Sequence, residues 1–292
     1  MTHMRPYRVM GILNVTPDSF SDGGRFLDAG AAIAHARQLL AEGADILDVG
    51  GESTRPGAEP VPEHEELARV RPVLEGLAQA RIPASAQISI DTCKAAVART
   101  ALEAGASIVN DVSALRADAE MVGLVAESGA QCCLMHMLGE PRTMQRAPGP
   151  QYTDVVDEVK AFLEQRLRFA VEEGIREQRI LLDPGIGFGK TVEHNLQLLA
   201  RLNELASIGP PVVIGTSRKS FLDRIRARGA SETEPAGTED RLPATIASNV
   251  LAYERGASVL RVHDVAAVRA ALAVAAATLD ACPTARGMTQ TS

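Results

Sequence analysis

No run of about 18 consecutive apolar residues occurs in the chain, so no membrane span is expected. The opening segment, Met1-Thr2-His3-Met4-Arg5-Pro6-Tyr7, has no apolar core after its charge and is not expected to be a signal peptide. Cysteine is sparse. Cys93, Cys132, Cys133 and Cys282 have neither the spacing of a metal knuckle nor the pattern of a disulfide framework. Cys132 and Cys133 lie in an apolar run and are expected to be buried free thiols, which implies a reducing, cytoplasmic setting. Basic residues are also outnumbered. The 30 Lys and Arg face 37 Asp and Glu, and a net charge of −7 argues against a nucleic-acid partner. A small anion held by a local cluster of cations remains compatible with that balance. Finally, no G-x-G-x-x-G turn follows the first strand pattern, which argues against a doubly wound dinucleotide-binding sheet.

What the chain does have is regular alternation. Its 292 residues are 46% apolar and 23% charged, the balance of a globular protein with a sizeable core. Short apolar runs predict strands at Val9–Val15, Asp45–Gly50, Gln87–Asp91, Ser107–Asp111, Gln131–His136, Ile180–Asp183, Val212–Gly215 and Ser258–His263. Most are continuously apolar until a polar residue at the C-terminal end, as strands covered on both faces should be. Helical patterns fill the intervals. Glu42-Gly43-Ala44, Ala104-Gly105-Ala106, Ser128-Gly129-Ala130, Glu173-Gly174-Ile175 and Arg255-Gly256-Ala257 each end a helical stretch and open a strand. Eight strand-helix units predict a single-domain α/β chain, a (β/α)8 TIM barrel spanning residues 1–292. Within it, loops at about 15–28 and 51–63 are expected to move, 229–240 to form a flexible segment, and 282–292 to fray.

In such a barrel the chemistry sits at the C-terminal strand ends. Those ends carry Asn14, Gly50-Gly51-Glu52, Asp91, Asn110-Asp111, His136, Asp183, Ser217-Arg218-Lys219, and Arg261 with His263. Arg261 and His263 are two apart, so on a strand they share a face. Asp91 and Asp183 close apolar segments and are expected to be desolvated carboxylates that need donors. The stretch Gly185-Ile186-Gly187-Phe188-Gly189-Lys190-Thr191 mimics a nucleotide-binding P-loop. It is one residue short between its first glycine and Gly189-Lys190-Thr191, and Pro184 stands where the glycine should be. It is therefore expected to be a glycine-rich loop that lets a ligand approach, with Phe188 able to pack on an aromatic ring. No Ser-His-Asp arrangement suggests a nucleophile.

Three loop motifs carry a resemblance. Gly11-Ile12-Leu13-Asn14-Val15-Thr16-Pro17-Asp18-Ser19-Phe20-Ser21-Asp22-Gly23-Gly24 follows the first strand, and Asp48-Val49-Gly50-Gly51-Glu52-Ser53-Thr54-Arg55-Pro56-Gly57-Ala58 the second. Gly215-Thr216-Ser217-Arg218-Lys219-Ser220-Phe221-Leu222 follows the seventh. Together with Asp91, Val109-Asn110-Asp111, Met135-His136, Leu182-Asp183-Pro184 and Arg261-Val262-His263-Asp264, they resemble the dihydropteroate synthase family over nearly the whole chain. One departure is Arg241-Leu242-Pro243-Ala244-Thr245, where an Ala-Gly-Thr-type stretch is expected; Pro243 suits the first turn of a helix.

The resemblance implies a transferase that condenses 6-hydroxymethyl-7,8-dihydropterin pyrophosphate with 4-aminobenzoate to give 7,8-dihydropteroate and pyrophosphate in folate synthesis. It places the pterin on Asp91, Asn110, Asp183, Lys219 and Arg261, with Arg261 lying flat over the ring. It places the pyrophosphate on Asn14, Thr54, Arg55, Arg261 and His263, with Asn14 holding Mg2+ as the cofactor. It places aminobenzoate on Phe20, Thr54, Pro56, Phe188, Lys219 and Ser220. The catalytic positions it implies are Asp91, Lys219, Asp18 and Asp22. Gly23-Gly24 and Gly50-Gly51 are expected to free the two long loops for closure. Sulfonamides are expected inhibitors, and a homodimer is the expected assembly. Two rivals share parts of this pattern: a methyltetrahydrofolate-corrinoid methyltransferase and a catalytically silent pterin-binding paralogue. The first does not need the Arg261/His263 pair or the 217–220 loop, and the second should have lost Asp18, Phe20, Thr54 or Arg55; all are present. His35, His64 and His194 fall on helical stretches and are expected to be surface or packing residues.

Overall fold

Every apolar run becomes a strand within one or two residues of its predicted bounds. A computed structural model describes residues 6–16, 29–54, 57–80, 82–139, 144, 149–227 and 241–281. Its strands are β1 (Arg8–Asn14), β2 (Ile46–Gly50), β3 (Gln87–Asp91), β4 (Ile108–Asp111), β5 (Gln131–Met135), β6 (Ile180–Asp183), β7 (Val212–Ile214) and β8 (Ala257–Val262). Each pairs in parallel with its sequence neighbour, and β8 closes on β1, giving a closed barrel in chain order. The (β/α)8 expectation holds.

The helices described are α1 (Ala29–Ala41), α2 (Glu63–Gln79), α3 (Ala95–Glu103), α4 (Glu120–Ser128), α5 (Val155–Glu172), α6 (Val192–Ala200), α7 (Leu202–Ala206), α8 (Phe221–Ala227), α9 (Leu242–Glu254) and α10 (Val265–Ala281). The five glycine stops work as the sequence suggests. Gly43, Gly105, Gly129, Gly174 and Gly256 have φ of 98°, 102°, 67°, 97° and 119°, the left-handed region that reverses a helix end at no Cβ cost. Pro243 lies in the first turn of α9, as expected. Thr191 caps α6 through a reciprocal box with His194, so His194 has a structural role at that helix start. Among the described residues no helix is long and apolar enough to cross a membrane.

The apolar residues divide into two cores. The larger lies between the strands and the outer helices. The smaller fills the barrel: Met10, Ile46, Ile108, Cys133, Leu181, Val213 and Val259, one from each strand except β3, all at most 1% exposed. Cys132 and Cys133 are buried free thiols on opposite faces of β5, one in each core, as their apolar setting predicts.

Candidate active site

Alternation along the strands converts that apolar plug into a polar floor. Inward side chains recur every second residue, so the layers above Met10, Ile46, Ile108, Leu181 and Val259 begin with Ile12, Asp48, Asn110, Asp183 and Arg261. On β3 the inward series is Ser89 and then Asp91, paired in register with Asp48 and Gly50 of β2. Of these, Asp91, Asn110, Asp183 and Arg261 line a pocket together with Thr54, Val112, Met135, Phe188, Gly215 and Lys219. Seven of the sequence-predicted site residues are thereby brought together.

The charges in the pocket are arranged around Arg261. Its Nε donates to Asp48 Oδ2 at 2.6 Å and its Nη2 to Asp91 Oδ2 at 2.6 Å. Asn110 Nδ2 donates to the same Asp48 oxygen at 3.1 Å. The guanidinium is thus tied to two carboxylates, where the resemblance implies that it lies over the pterin ring. Asp48 Oδ1 and Asp91 Oδ1 are buried with no hydrogen-bond partner among the described residues, and since Asp91 lines the pocket its free oxygen is an acceptor suited to a donor brought by a ligand. Asp183 Oδ1 accepts from Gly185 N at 2.7 Å, which orients its carboxylate. Lys219 Nζ donates to the carbonyl of Ile186 and stands 4.6 Å from the centroid of the Phe188 ring.

Burial and neighbours shift these groups. Desolvation raises Asp91 to about 7; Arg261 opposes the rise and the like charge of Asp48 adds to it. Desolvation also raises Asp183, against Lys219 and the Gly185 N–H. Lys219 is lowered to about 8 by desolvation, with Asp183 resisting.

The loops around the pocket are braced from outside it. Glu52 Oε2 receives Lys94 Nζ at 2.5 Å while its Oε1 receives the Val61 N–H at 3.0 Å, so one carboxylate joins both ends of the second loop. Lys94 also reaches the fully buried Glu66, at 2.6 Å. Arg69 donates to the Gly51 carbonyl at 2.7 Å, and a Cβ on Gly51 would stand 2.8 Å from Val70. The expectation that Gly50-Gly51 frees this loop is therefore corrected: Gly50 is buried in β2, and Gly51 is a glycine because α2 packs against it. The 217–219 turn is held similarly. Arg218, at φ 57°, forms a two-point pair with Asp264 at 3.0 and 2.5 Å, and its carbonyl accepts from Arg241 at 2.9 Å. The departure at Arg241 thus supplies a brace for the turn that carries Lys219.

Several rim residues do not enter the pocket. His136 turns away to meet Lys190, and Asp111 caps its own loop by accepting from Ser113 N and Leu115 N at 2.7 and 2.9 Å. Arg218 is committed to Asp264. Asn14 and His263 stand above the floor, half-buried; His263 Nδ1 lies 3.0 Å from Ser217 Oγ, and Ser220 is exposed at the start of α8. Asp18, Phe20, Asp22, Arg55 and Pro56, together with most of the 15–28 loop, the 229–240 segment and the tail from 282, lie outside the described residues. The site residue that sequence reasoning missed is Asp48, quoted in a motif but given no role. Its signal was parity: it stands two residues before Gly50 on the inward face of β2.

Comparison with known proteins agrees with this geometry. The pterin binding enzyme family matches residues 10–263. The chain is similar to the dihydropteroate synthase of Escherichia coli (strain K12), 45% identical over 273 residues, covering 94% of this chain and 92% of the relative. It superposes on the Xanthomonas albilineans dihydropteroate synthase with 4-aminobenzoic acid at TM-score 0.84 and 45% identity, covering 96% and 95% of the two chains. A Yersinia pestis dihydropteroate synthase in a sulfonamide drug complex gives TM-score 0.86 at 42% identity, with 96% of each chain covered. A barrel whose polar floor joins Asp91, Asn110, Asp183, Lys219 and Arg261, with these relatives over nearly its full length, belongs to the dihydropteroate synthase family of pterin-binding enzymes.

Proposed function

We propose that the protein condenses 6-hydroxymethyl-7,8-dihydropterin pyrophosphate with 4-aminobenzoate, forming 7,8-dihydropteroate and releasing pyrophosphate. The observation that carries this reading is the pocket floor. Asp183, oriented by Gly185, accepts from the 2-amino group and ring N–H of the pterin as a charge-assisted pair. Asn110 shares that edge, and the free oxygen of Asp91 offers a further acceptor. Lys219 donates to the ring carbonyl side, and the Phe188 ring beside it forms a wall for the aryl amine.

The C–O bond to the pyrophosphate breaks first, leaving positive charge spread over the pterin and its exocyclic methylene. The ionised Asp91, held against the cleft by Arg261, stabilises that charge as it develops. The amine nitrogen of aminobenzoate then forms the C–N bond and loses a proton. No protein nucleophile is required. In this reading Arg261, His263, Thr54 and Arg55, the positions the resemblance assigns to pyrophosphate, would take the charge of the departing group.

The residues present suit a magnesium ion of the substrate-assisted kind. Asn14 offers a hard carboxamide oxygen at the end of β1, and no cluster of three or more acidic, His or Cys ligands forms a protein cage among the described residues. Mg2+ held by Asn14 and the substrate would neutralise charge on the departing pyrophosphate.

The two shifted groups give a pH signature. Asp91 must be ionised and Lys219 protonated, so kcat/KM is expected to rise through about pH 7 and fall above about pH 8. Asp48→Asn removes a like charge that raises Asp91, so the acidic limb should move to lower pH. An acidic limb that stays put in Asp48→Asn would show that Asp91 does not govern it.

The assembly we propose is a homodimer in the cytoplasm. Supporting it, Leu251 on α9 and Val274 and Leu279 on α10, two helices packed together, are 42%, 68% and 40% exposed. Buried free thiols suit a reducing compartment. The direct test follows dihydropteroate by mass with dihydropterin pyrophosphate, 4-aminobenzoate and Mg2+, omitting each in turn. Product only when all three are present, and inhibition by a sulfonamide that excess aminobenzoate reverses, is the expected result. Pterin binding without product would return the silent-paralogue reading.

A further inference from the structure

The glycine loop between β6 and α6 mimics a phosphate cradle in sequence, yet its lysine points into the protein. Lys190 is 3% exposed. Its Nζ lies 2.9 Å from His136 Nδ1, 3.0 Å from the Phe188 carbonyl and 3.4 Å from the His136 carbonyl. These acceptors span two loops, the one after β5 and the one after β6. The loops also touch through their backbones: a Cβ on Gly185 would sit 1.9 Å from the His136 carbonyl oxygen, and one on Gly189 2.3 Å from that of Leu138. Tyr152 donates to the Gly189 carbonyl at 2.9 Å, and Gly187 N donates to Asn195 at 2.7 Å. A buried amine retains N–H donors whether or not it is protonated, so this bracing does not depend on its charge.

What the braced loop presents to the pocket is the Ile186 carbonyl, which receives Lys219, and the Phe188 ring beneath the Lys219 ammonium. We propose that Lys190 is a positioning residue for the reaction: tied to His136 and the Phe188 carbonyl, it fixes the 185–190 loop so that Ile186 and Phe188 hold Lys219 where the aryl amine meets the pterin. This rests on the synthase reading above. Lys190 touches no substrate. It acts through Lys219.

That dependence is what the test reads. Lys190→Met keeps the length of the side chain and removes its donors. Displacement of a reacting group by an ångström costs about 10²-fold in rate, so kcat should fall by about that factor. Pterin affinity by calorimetry should fall by about tenfold at most, the worth of the one Lys219 hydrogen bond, because Asp183 and Asn110 still hold the pterin edge. In a Lys219→Met background the further loss from Lys190→Met should be under about twofold, because the group being positioned is already gone. Lys190→Gln, which keeps an N–H donor near Phe188, should recover part of kcat; it replaces the methionine variant in the cycle if circular dichroism shows the latter unfolded. Losses that multiply in the double variant, or pterin affinity that falls in step with kcat, overturn the proposal in favour of general loosening. Failure of the parent chain to form dihydropteroate would sink the synthase reading itself, a result distinct from either.

Discussion

Asp183→Asn is expected to lower kcat/KM by about 10⁴-fold, because a site built to hydrogen-bond a ligand is heavily penalised when its polar group no longer matches. The carboxylate is acceptor-only, and one of its oxygens is already fixed by Gly185 N at 2.7 Å. A carboxamide that keeps the Gly185 bond turns its NH2 toward the amino and N–H donors of the pterin; one that flips to suit the pterin breaks the Gly185 bond. Either way a buried donor faces a donor. Burial favours the neutral carboxyl of Asp183, and the Lys219 ammonium is the largest effect opposing that. The loss should therefore appear in pterin affinity measured by calorimetry as well as in product formation. A variant that binds pterin within tenfold of the parent would remove Asp183 from the recognition edge.

Arg261→Met is expected to cost about 3–5 kcal/mol of stability in addition to abolishing turnover, as does stripping one partner from a buried ion pair. Its guanidinium is the cation in contact with both Asp48 and Asp91, each of which already has one buried oxygen with no hydrogen-bond partner among the described residues. The sign with pH follows. Without the arginine, Asp91 rises further above its unfolded value, so the native state holds a proton that the unfolded chain has released. In the parent that imbalance ends at about pH 7, where native Asp91 ionises, whereas in the variant it persists to higher pH, so the loss relative to the parent grows above about pH 7. Urea unfolding should accordingly show a larger loss at pH 8 than at pH 6, and Asp48→Asn in the same chain should restore part of it. Equal losses at both pH values would mean that the arginine stabilises by packing and not by neutralising the pair.

The barrel was legible because two independent signals repeat along the chain. Apolar runs mark β1 to β8, and glycines at 43, 105, 129, 174 and 256 mark the helix ends, each confirmed by a positive φ. The site was legible at residues whose parity and strand-end position agree, such as Asp91, Asn110, Asp183 and Arg261. It was misread where only the position was used. Asp111 and His136 each follow an inward residue, Asn110 and Met135, so they fall on the opposite face and brace loops instead. Asp48 was overlooked for the converse reason: its parity is inward, but it lies below the strand end. The pairings of Lys190, Glu52 and Arg218 were not legible, since each joins loops whose mutual approach is set by the closed barrel.

That closure has a consequence for how the activity arises during folding. The bond from Arg261 to Asp48 joins residues 213 positions apart, and the one to Asp91 spans 170. Contacts of such separation form late, after the loop-closure entropy between them has been overcome. A chain emerging from the ribosome will thus expose β2 and β3 with their acids hydrated long before the eighth strand supplies the counter-ion. Pterin recognition cannot precede the seam between the last strand and the first, and ligand binding is in effect a gauge of whether the circle has been completed.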